Sequence, residues 1–377
     1  MQRRIGNGAT DLKSKNHNEI YRLLWQEGRL SKQDLMLALG LSLPTVTTHL
    51  TELCDAGLVV ENGTFGNTGG RNAKGYSIDF GARLALGVDI NKTHISVVVV
   101  DLRGDILHSV VDRRVYEKTP AYYKRLGELV ASAMECVQVT KEQLLGVGIS
   151  VQGLLSKDRK EVIFGPVLDN KGETVEIYTQ HIPYYCELFH DSDSAAFAEM
   201  WVSPELINAV YLSLSTNLGG ALIIGREIFS GNGFTAGKLE HMALHPGGKI
   251  CYCGKHGCAD SYCALTYLTD GIGDGTLSSF FQAIEEGEKT AKERWNRYLD
   301  DLAVLANNMY ILIDSDVILG GYLAPYVGPY LEELKARAYA LNGVLPGQDY
   351  LKLARFQTEA VAAGSALRLI DAFIKDV

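Results

Sequence analysis

Apolar side chains in the first part of the chain recur at helical spacing. They do so from about residue 16 to 27, again after the capping residue Ser31, and along residues 43–53. This spacing predicts three amphipathic helices. A tight turn before the third helix is typical of a helix–turn–helix. Residues 1–16 are polar and lack the pattern, so we expect them to form a flexible arm.

A glycine-rich hairpin follows the third predicted helix. Residues 57–60 have the apolar character of a strand, and residues 76–78 have the character of its returning partner. The segment between them is rich in glycine and carries two cations, Arg71 and Lys74. That composition is typical of a wing. We therefore predict a winged helix–turn–helix over residues 17–80.

The third helix and the wing supply the candidate DNA contacts. Short polar side chains can hydrogen-bond base edges and phosphates in a major groove, and a wing cation can enter a minor groove or hold a phosphate. The alternative interpretations are a solvated helix face and a flexible linker that happens to carry cations. The candidate DNA-binding residues are Ser42, Thr45, Thr47, Thr48, His49, Arg71 and Lys74.

Strand patterns dominate the chain from residue 84 onward. A strand–turn–strand plan over residues 84–111 recurs over 210–224. Two similar halves indicate a duplicated, two-lobed α/β fold, in which a ligand would lie between the lobes. We place the first lobe at about 81–200 together with a C-terminal helix at 358–377. The second lobe then spans about 201–357.

Composition excludes several classes of protein. No apolar run approaches the roughly 20 residues needed to cross a bilayer, and the N-terminus has no secretory pattern, so we expect a cytoplasmic protein. The cysteine number, seven, is odd and argues against a disulfide framework. Residues 1–80 carry a net charge of +1 and the remainder a net charge of −10. A near-neutral head can still bind DNA if its cations share one face.

Four cysteines cluster within a short segment and suggest a metal site. Three thiolates and one imidazole form a normal tetrahedral zinc set, and four protein ligands leave no open position, so we expect one structural zinc per chain. Gly254 and Gly257 allow the tight turn that this needs. His245 or His256 could replace His241 as the imidazole ligand, and Cys263 is a spare thiol nearby. The alternative to a metal site is a group of reduced, buried cysteines. The candidate ligands are His241, Cys251, Cys253 and Cys258.

Together these residues resemble the ROK family (repressors, open reading frames and sugar kinases) over essentially the whole chain. Residues 69–71, Gly-Gly-Arg, resemble the head of its repressors, and Leu214–Met242 resembles the family signature. The cysteine run matches the family's zinc loop, and residues 318–321 resemble its late glycine pair. The resemblance implies an α/β fold: a winged helix–turn–helix followed by a two-lobed, actin-like ATPase domain of the ribonuclease-H-like type.

The chain departs from the family's kinases at both phosphate loops. In the first loop Asn91 and Lys92 replace two glycines, and in the second Ser215 and Asn217 replace two glycines as well. Side chains at these places would crowd the approach of backbone amides to phosphates. The comparison therefore implies that the protein does not use ATP, is not an enzyme and has no catalytic residues.

The sugar-binding positions of the family are partly kept. The kinases' Asn-Asp pair, whose Asp is the base, becomes His190-Asp191, and we expect Asp191 to hydrogen-bond a sugar hydroxyl. Lys238 replaces the usual glutamate, which could favour an acidic or phosphorylated sugar, abolish sugar binding, or place the cation in solvent. The candidate effector-binding residues implied by the resemblance are His190, Asp191, Lys238, Glu240, His241 and Asp260.

The function predicted from these features is a repressor of carbohydrate-utilisation genes. A sugar or sugar derivative bound between the lobes would change the spacing of two DNA-binding heads in a homodimer, or in a tetramer. The operator would then be palindromic, read in the major groove with a wing contact. The two alternatives are an ATP-dependent sugar kinase with an added head and a repressor controlled by a protein partner.

Overall fold

The computed structural model of the protein describes residues 8–66, 72–343, 348–356 and 359–377, with side chains from residue 15 onward. The N-terminal head has three helices and a three-stranded antiparallel sheet of order β1-β3-β2. Its elements are α1 (Gly8–Glu27), β1 (Arg29–Ser31), α2 (Lys32–Leu39), α3 (Leu43–Asp55), β2 (Val59–Phe65) and β3 (Ala73–Ile78). The winged helix–turn–helix prediction is confirmed.

Two details of the head differ from the sequence prediction. The first helix begins at Gly8, so the prediction of a flexible arm is wrong from that residue onward; residues 1–7 lie outside the described residues. The stretch after Gly8 is polar but contains no glycine or proline, so nothing in it stops a helix. Leu43, expected on the inner face, is 49% exposed because it is the first residue of α3 and precedes the buried stripe.

The body begins with a five-stranded sheet and its flanking helices. Their order along the chain is β4 (Leu84–Ile90), β5 (Ile95–Asp101), β6 (Ile106–Asp112), α4 (Pro120–Val137), β7 (Leu144–Val151), β8 (Leu154–Leu155), β9 (Val162–Phe164), α5 (Val175–Thr179), β10 (Cys186–His190) and α6 (Asp191–Val202). The sheet order is β10-β7-β4-β5-β6; β10, β7 and β4 are parallel, and β5 and β6 complete it as antiparallel strands.

A second five-stranded sheet follows, with more helices. Its elements are β11 (Ala209–Leu214), β12 (Leu218–Ile224), β13 (Glu227–Ile228), a 3-10 turn (Leu239–His241), α7 (Asp260–Cys263), α8 (Leu265–Thr269), α9 (Leu277–Glu285), α10 (Lys289–Ile313), β14 (Asp316–Gly320), α11 (Ala324–Val327), a 3-10 turn (Gly328–Tyr330), α12 (Leu331–Ala340), β15 (Leu351–Leu353) and α13 (Ala360–Asp376). The order β13-β12-β11-β14-β15 repeats the first sheet's plan of an antiparallel hairpin followed by parallel strands. The predicted duplication is therefore present.

The C-terminal helix α13 lies across the first sheet and against α6. The approach is close: a side chain added at Gly87 would meet the carbonyl oxygen of Ala362, and one added at Gly364 would meet that of Ser194. At its far end α13 contacts the head, because the Asn18 amide on α1 donates hydrogen bonds to two of its last carbonyl oxygens, at 2.8 and 3.1 Å. Head and first sheet also share one apolar core. Within the described part of the chain, no helix has both the length and the apolarity to cross a bilayer.

Candidate functional site

A cavity of about 260 Å³ lies between the two sheets. It forms at the carboxyl ends of β4, β7 and β10, where parallel strands bring the following residues to one edge. Such edges are the usual ligand sites of α/β folds. The residues that follow these three strands and line the cavity are Asn91, Gln152 and Asp191, and the facing sheet contributes Ser213, Ser215 and Asn217.

The structure brings together five of the six predicted effector residues. The cavity is lined by His190, Asp191, Lys238, Glu240 and His241. Asp260 is the exception, because its carboxylate accepts hydrogen bonds from the Leu218 amide at 2.9 Å and the Asn217 side chain at 3.4 Å. It therefore lies behind the turn that lines the cavity. Asp260 thus does not line the cavity with the other five predicted residues, and its carboxylate instead hydrogen-bonds this turn.

The cavity holds polar atoms without protein partners. Among the described residues, the Gln152 carbonyl oxygen Oε1 and the Glu240 oxygen Oε2 are buried and accept no hydrogen bond. An unpaired buried polar group costs about 1–3 kcal/mol. A ligand that brings several hydroxyl or amide donors would remove this cost. The lining therefore favours a polar, hydrogen-bonding ligand over an apolar one.

Burial changes the charge of two cavity carboxyls. It raises the pKa of Asp89 to about 8, with a further contribution from the nearby Asp191 carboxylate. It raises the pKa of Glu240 to about 7, and the Lys238 ammonium partly opposes this shift. Burial lowers the pKa of His190, with the Lys238 charge acting in the same direction. Near neutral pH these shifts favour the neutral forms of all three side chains, so the cavity contains fewer charged groups than the residue types alone suggest.

The Asp89 carboxyl should make stability depend on pH. Because its pKa is raised in the folded protein, the folded chain keeps a proton that the unfolded chain releases, so the free energy of unfolding should fall as pH rises from about 4 to about 8. The substitution Asp89→Asn should reduce this slope by up to about 1.4 kcal/mol per pH unit. Thermal unfolding of both proteins at several pH values measures it. Equal slopes for wild type and Asp89→Asn, with the exposed Asp169→Asn as control, would contradict the assignment.

Lys238 faces the cavity and not bulk solvent. Its ammonium lies 3.9 Å from the Asp193 carboxylate, and its side chain is largely buried. The interpretation that this cation points to solvent is therefore wrong. The pairing partly neutralises Lys238 and leaves Asp191, the neighbouring carboxylate, to face the cavity.

The first phosphate-loop position is filled by a side chain. The Asn91 carbonyl oxygen Oδ1 accepts the backbone N–H groups of Thr93 at 2.9 Å and His94 at 3.0 Å. These turn amides are therefore already occupied. The imidazole of His94 reaches across the cleft to Tyr322, 3.1 Å between Nε2 and the hydroxyl oxygen. Lys92, the other departure in this loop, is exposed and does not line the cavity.

Three thiols and one imidazole converge beside the cavity, with ligand atoms all within 4.8 Å of one another. The Cys251 sulfur lies 3.7 Å from the His241 Nδ1, and the Cys253 and Cys258 sulfurs are 3.8 Å apart. Tetrahedral zinc with ordinary bond lengths requires about 3.6 Å between sulfur and nitrogen and about 3.8 Å between sulfurs. The donor set and its spacing therefore fit zinc. His241 lines the cavity as well, so it belongs to both sites.

The turn that gathers these thiols depends on glycine. Gly254 and Gly257 have φ of +82° and +86°, as the sequence predicted, and a side chain at Gly257 would meet the His245 carbonyl oxygen. The other histidines considered have different partners: His245 binds Asp301, and His256 lies 3.0 Å from the Gly248 carbonyl oxygen. The structure therefore groups His241 with the thiols.

Helix α3 presents most of the predicted DNA contacts on its outer face. Thr48 is exposed, Thr45 and Thr47 are half-buried, and the Ser42 hydroxyl caps the helix by accepting the Thr45 amide. The prediction is wrong for His49, which is 3% exposed because it lies on the stripe that packs inside the head.

Of the two predicted wing cations, Lys74 and Arg71, only Lys74 is among the described residues. Lys74 lies near the loop end of the β2–β3 hairpin, with its ammonium 2.8 Å from the Glu61 carboxylate. Arg71 lies outside the described residues.

Sequence reasoning missed several cavity residues. Asp89 lies at the end of an apolar strand, so hydrophobic patterning gave no sign that its side chain faces a ligand site. Gln152, Phe164 and Tyr252 also line the cavity. For Gln152, its position along the chain could have indicated a site residue, because it directly follows a strand whose carboxyl end opens into the cleft. Tyr322 comes from the other half of the chain, and only the tertiary structure brings it there.

A winged helix–turn–helix on a duplicated, actin-like body is the architecture of a DNA-binding regulator built on a sugar-kinase fold. Comparison with known families gives two matches: residues 85–371 match the ROK family, and residues 13–60 match a winged helix–turn–helix DNA-binding domain. The first match covers most of the chain. The protein belongs to the ROK family.

Curated relatives of the chain carry regulator names. It is 22% identical over 362 residues to a putative xylose repressor of Caldicellulosiruptor sp. strain Rt8B.4, covering 89% of this chain and 90% of that one. It is 25% identical over 334 residues to the DNA-binding transcriptional dual regulator NagC of Escherichia coli K12, covering 82% and 81%.

Solved structures show the same fold. A ROK family transcriptional regulator, described as a homologue of the E. coli MLC protein, superposes with a TM-score of 0.76 at 19% identity over 97% of both chains. A ROK family glucokinase from Streptomyces griseus, in complex with glucose and AMPPNP, gives a TM-score of 0.66 at 23% identity, covering 76% of this chain and 98% of that one. The kinase match thus leaves about a quarter of this chain uncovered.

Proposed function

We propose that this protein is a transcriptional repressor of carbohydrate-utilisation genes, released from its operator by a sugar or sugar derivative bound in the cavity between the two sheets. The observation that carries the proposal is the combination in one chain of a winged helix–turn–helix and a polar cavity lined by Asp191. The names of the relatives, xylose repressor and N-acetylglucosamine repressor, support the same class of effector.

The cavity suits a sugar for chemical reasons. Asp191 offers a carboxylate that can accept hydrogen bonds from vicinal hydroxyls, and the unpaired oxygens of Gln152 and Glu240 can accept hydrogen bonds from further hydroxyls. Phe164 and Tyr252 supply ring surface for the apolar faces of a sugar. Polar groups that fix the orientation of a ligand, placed beside aromatic ring surface, are usual features of a specific ligand site.

An ATP-dependent kinase activity is the less supported function. Asp191 remains where a base would stand, but the turn amides at Thr93 and His94 are already taken by Asn91. Phosphate loops depend on free amides of this kind. The contact between His94 and Tyr322 also joins the two sides of the cleft at this point. We therefore assign Asp191 a binding role only, and no catalytic residue.

A structural zinc at the cysteine segment completes the proposal. His241, Cys251, Cys253 and Cys258 would hold it, and its charge would keep the thiols deprotonated and the imidazole fixed in orientation. Since His241 also lines the cavity, the metal loop would brace one wall of the effector site. This arrangement gives the cysteine segment a role in ligand binding without direct contact between metal and sugar.

Helix α13 provides a physical link between cavity and head. Val361, near its start, lines the cavity, and Asn18 of the head holds its last turn. Its 17 residues span about 25 Å. A ligand that favours one angle between the lobes would shift α13 and thus the head. In a homodimer or tetramer, such a shift would change the spacing of two heads on a palindromic operator.

Helix α3 gives a direct test of operator recognition. The double substitution Thr47→Ala/Thr48→Ala should lower affinity for the operator by about 5- to 30-fold, because hydroxyl contacts to bases and phosphates are lost. Fluorescence anisotropy with the upstream DNA of the gene measures this. Thr179→Ala is a matched control, since Thr179 also donates its hydroxyl to a carbonyl one helical turn earlier but lies in the body. Equal operator affinity for the double variant and wild type would exclude α3 as the recognition helix.

A further inference from the structure

A second group of metal-ligating side chains lies in the DNA-binding head. His17 is on α1, and His49 and Glu52 are one turn apart on α3. Each offers a ligand atom, and these atoms lie within 4.8 Å of one another. The two imidazoles meet edge to face, with ring centroids 5.4 Å apart. We call this group the head cluster. It joins α1 to the proposed recognition helix.

The spacing of the head cluster matches a metal site. The two Nδ1 atoms of His17 and His49 are 3.4 Å apart, and they lie 3.5 and 3.3 Å from the Glu52 oxygen Oε2. Tetrahedral ligands at 2.0–2.1 Å from zinc are about 3.3–3.4 Å from one another. The three ligand atoms therefore form one triangular face of a tetrahedron of the size that zinc requires.

Hydrogen bonding alone explains this arrangement less well. Both imidazoles direct the same nitrogen, Nδ1, at a single carboxylate oxygen and at each other. Charge-assisted hydrogen bonds to a carboxylate are normally about 2.7–2.9 Å long, shorter than either distance here. The ring-to-ring contact of 3.4 Å is also long for an N–H···N hydrogen bond. With both rings protonated at Nε2, three lone pairs would converge on one point, which is the arrangement that a cation stabilises.

Burial and chemistry narrow the choice of ion. His49 is buried, whereas the side chains of His17 and Glu52 are 22% and 38% exposed, so an ion can enter from the solvent side. Two imidazoles with one carboxylate suit divalent transition metals such as Zn²⁺ or Co²⁺, and not Ca²⁺ or Mg²⁺, which prefer oxygen ligands.

We propose that His17, His49 and Glu52 bind one divalent transition-metal ion, with water completing the coordination. The ion would fasten α1 to the middle of α3 and so restrict the orientation of the recognition helix. This consequence rests on the proposed DNA-binding function: operator affinity would then depend on the metal as well as on the effector.

Metal content tests the site independently of DNA binding. The full chain is stripped with a chelator and dialysed against Zn²⁺, and bound zinc is measured by mass spectrometry. We expect two equivalents per chain for wild type and one each for His17→Gln, Glu52→Gln and Cys251→Ser. His181→Gln, at an exposed histidine of the body, should keep two. A wild-type content of one equivalent, or two equivalents retained in both head variants, would overturn the proposal.

Cobalt spectroscopy identifies which ligands hold the second ion. The difference between the Co²⁺ spectra of wild type and His17→Gln should show weak visible bands and no thiolate-to-metal charge transfer, because the head cluster contains no sulfur. A thiolate band in that difference would assign the ion to the cysteine segment and overturn the proposal. The partly exposed positions 17 and 52 are chosen because substitution of buried His49 could unfold the head.

Operator binding tests the regulatory consequence, which rests on the proposed function. Chain with only the cysteine site loaded is compared with fully loaded chain on the upstream DNA. We expect operator affinity to change by about fivefold or more in wild type and to stay constant in His17→Gln. An unchanged wild-type affinity would overturn the regulatory role. Absence of DNA binding in both forms would instead contradict the proposed function and leave the zinc measurement standing.

Discussion

Cys251→Ser is expected to cost the protein its structural zinc, about 4 kcal/mol of unfolding free energy and most of its effector affinity. Loss of a metal is one of the few single changes that destabilises a protein this strongly. Cys251 is buried and lies 3.7 Å from His241, so the remaining ligands cannot close the tetrahedron. Freed from the metal, His241 would lose the orientation with which it lines the cavity. Changes to the groups that orient ligands typically cost 10- to 100-fold in affinity or activity.

Thermal unfolding, zinc content and sugar binding of Cys251→Ser measure these effects together. Cys136→Ser is the matched control, because that thiol is exposed and lies on α4, outside the metal group. The control should keep the zinc content, the midpoint of thermal unfolding and the sugar affinity of the wild type. Unchanged zinc content and unchanged sugar affinity in Cys251→Ser would show that the cysteine segment neither holds a metal nor supports the cavity.

Asp191→Asn is expected to raise the sugar concentration needed to release the operator by about 30-fold or more. The substitution keeps the shape of the side chain and one acceptor for the Ser192 amide, so the start of α6 should remain intact. It removes the charge that makes hydrogen bonds from sugar hydroxyls strong, which are worth about 1.5–3 kcal/mol each. Operator affinity without sugar should not change.

Fluorescence anisotropy of labelled operator DNA bound to Asp191→Asn measures this effect. The complex is titrated with D-xylose or N-acetylglucosamine, the sugars in the names of the relatives. Asp105→Asn, at an exposed aspartate on a surface turn, serves as the control. If Asp191→Asn responds to the same sugar concentration as wild type, the effector does not bind against this carboxylate. A loss of operator affinity in the absence of sugar would instead indicate damage to the fold.

Much of the architecture followed from patterning. Alternation between apolar strands and turns predicted the strands over residues 84–111 and 210–224, because a buried sheet needs long apolar runs such as residues 95–101. Helical spacing and the tight turn before it predicted α3. The cysteine spacing predicted the metal group. The turn that brings these cysteines together needs residues in the left-handed region, and Gly254 and Gly257 stand at those positions.

The rest depended on contacts that one-dimensional patterns do not contain. His49 is polar, so patterning placed it outward, yet the head has polar partners for it in His17 and Glu52. The contact between His94 and Tyr322 joins residues 228 positions apart. Asp260 shares its spacing with a family binding residue, but its hydrogen bond to the Leu218 amide turns it away from the cavity.

Fluorescence anisotropy of wild-type protein on the DNA upstream of its gene, with and without a panel of sugars, tests whether the protein is a sugar-released repressor. We expect tight binding that weakens as salt rises, since phosphate contacts release counterions, and release of the DNA by one sugar of the panel. No binding even at low salt, where electrostatic attraction is strongest, would contradict this function.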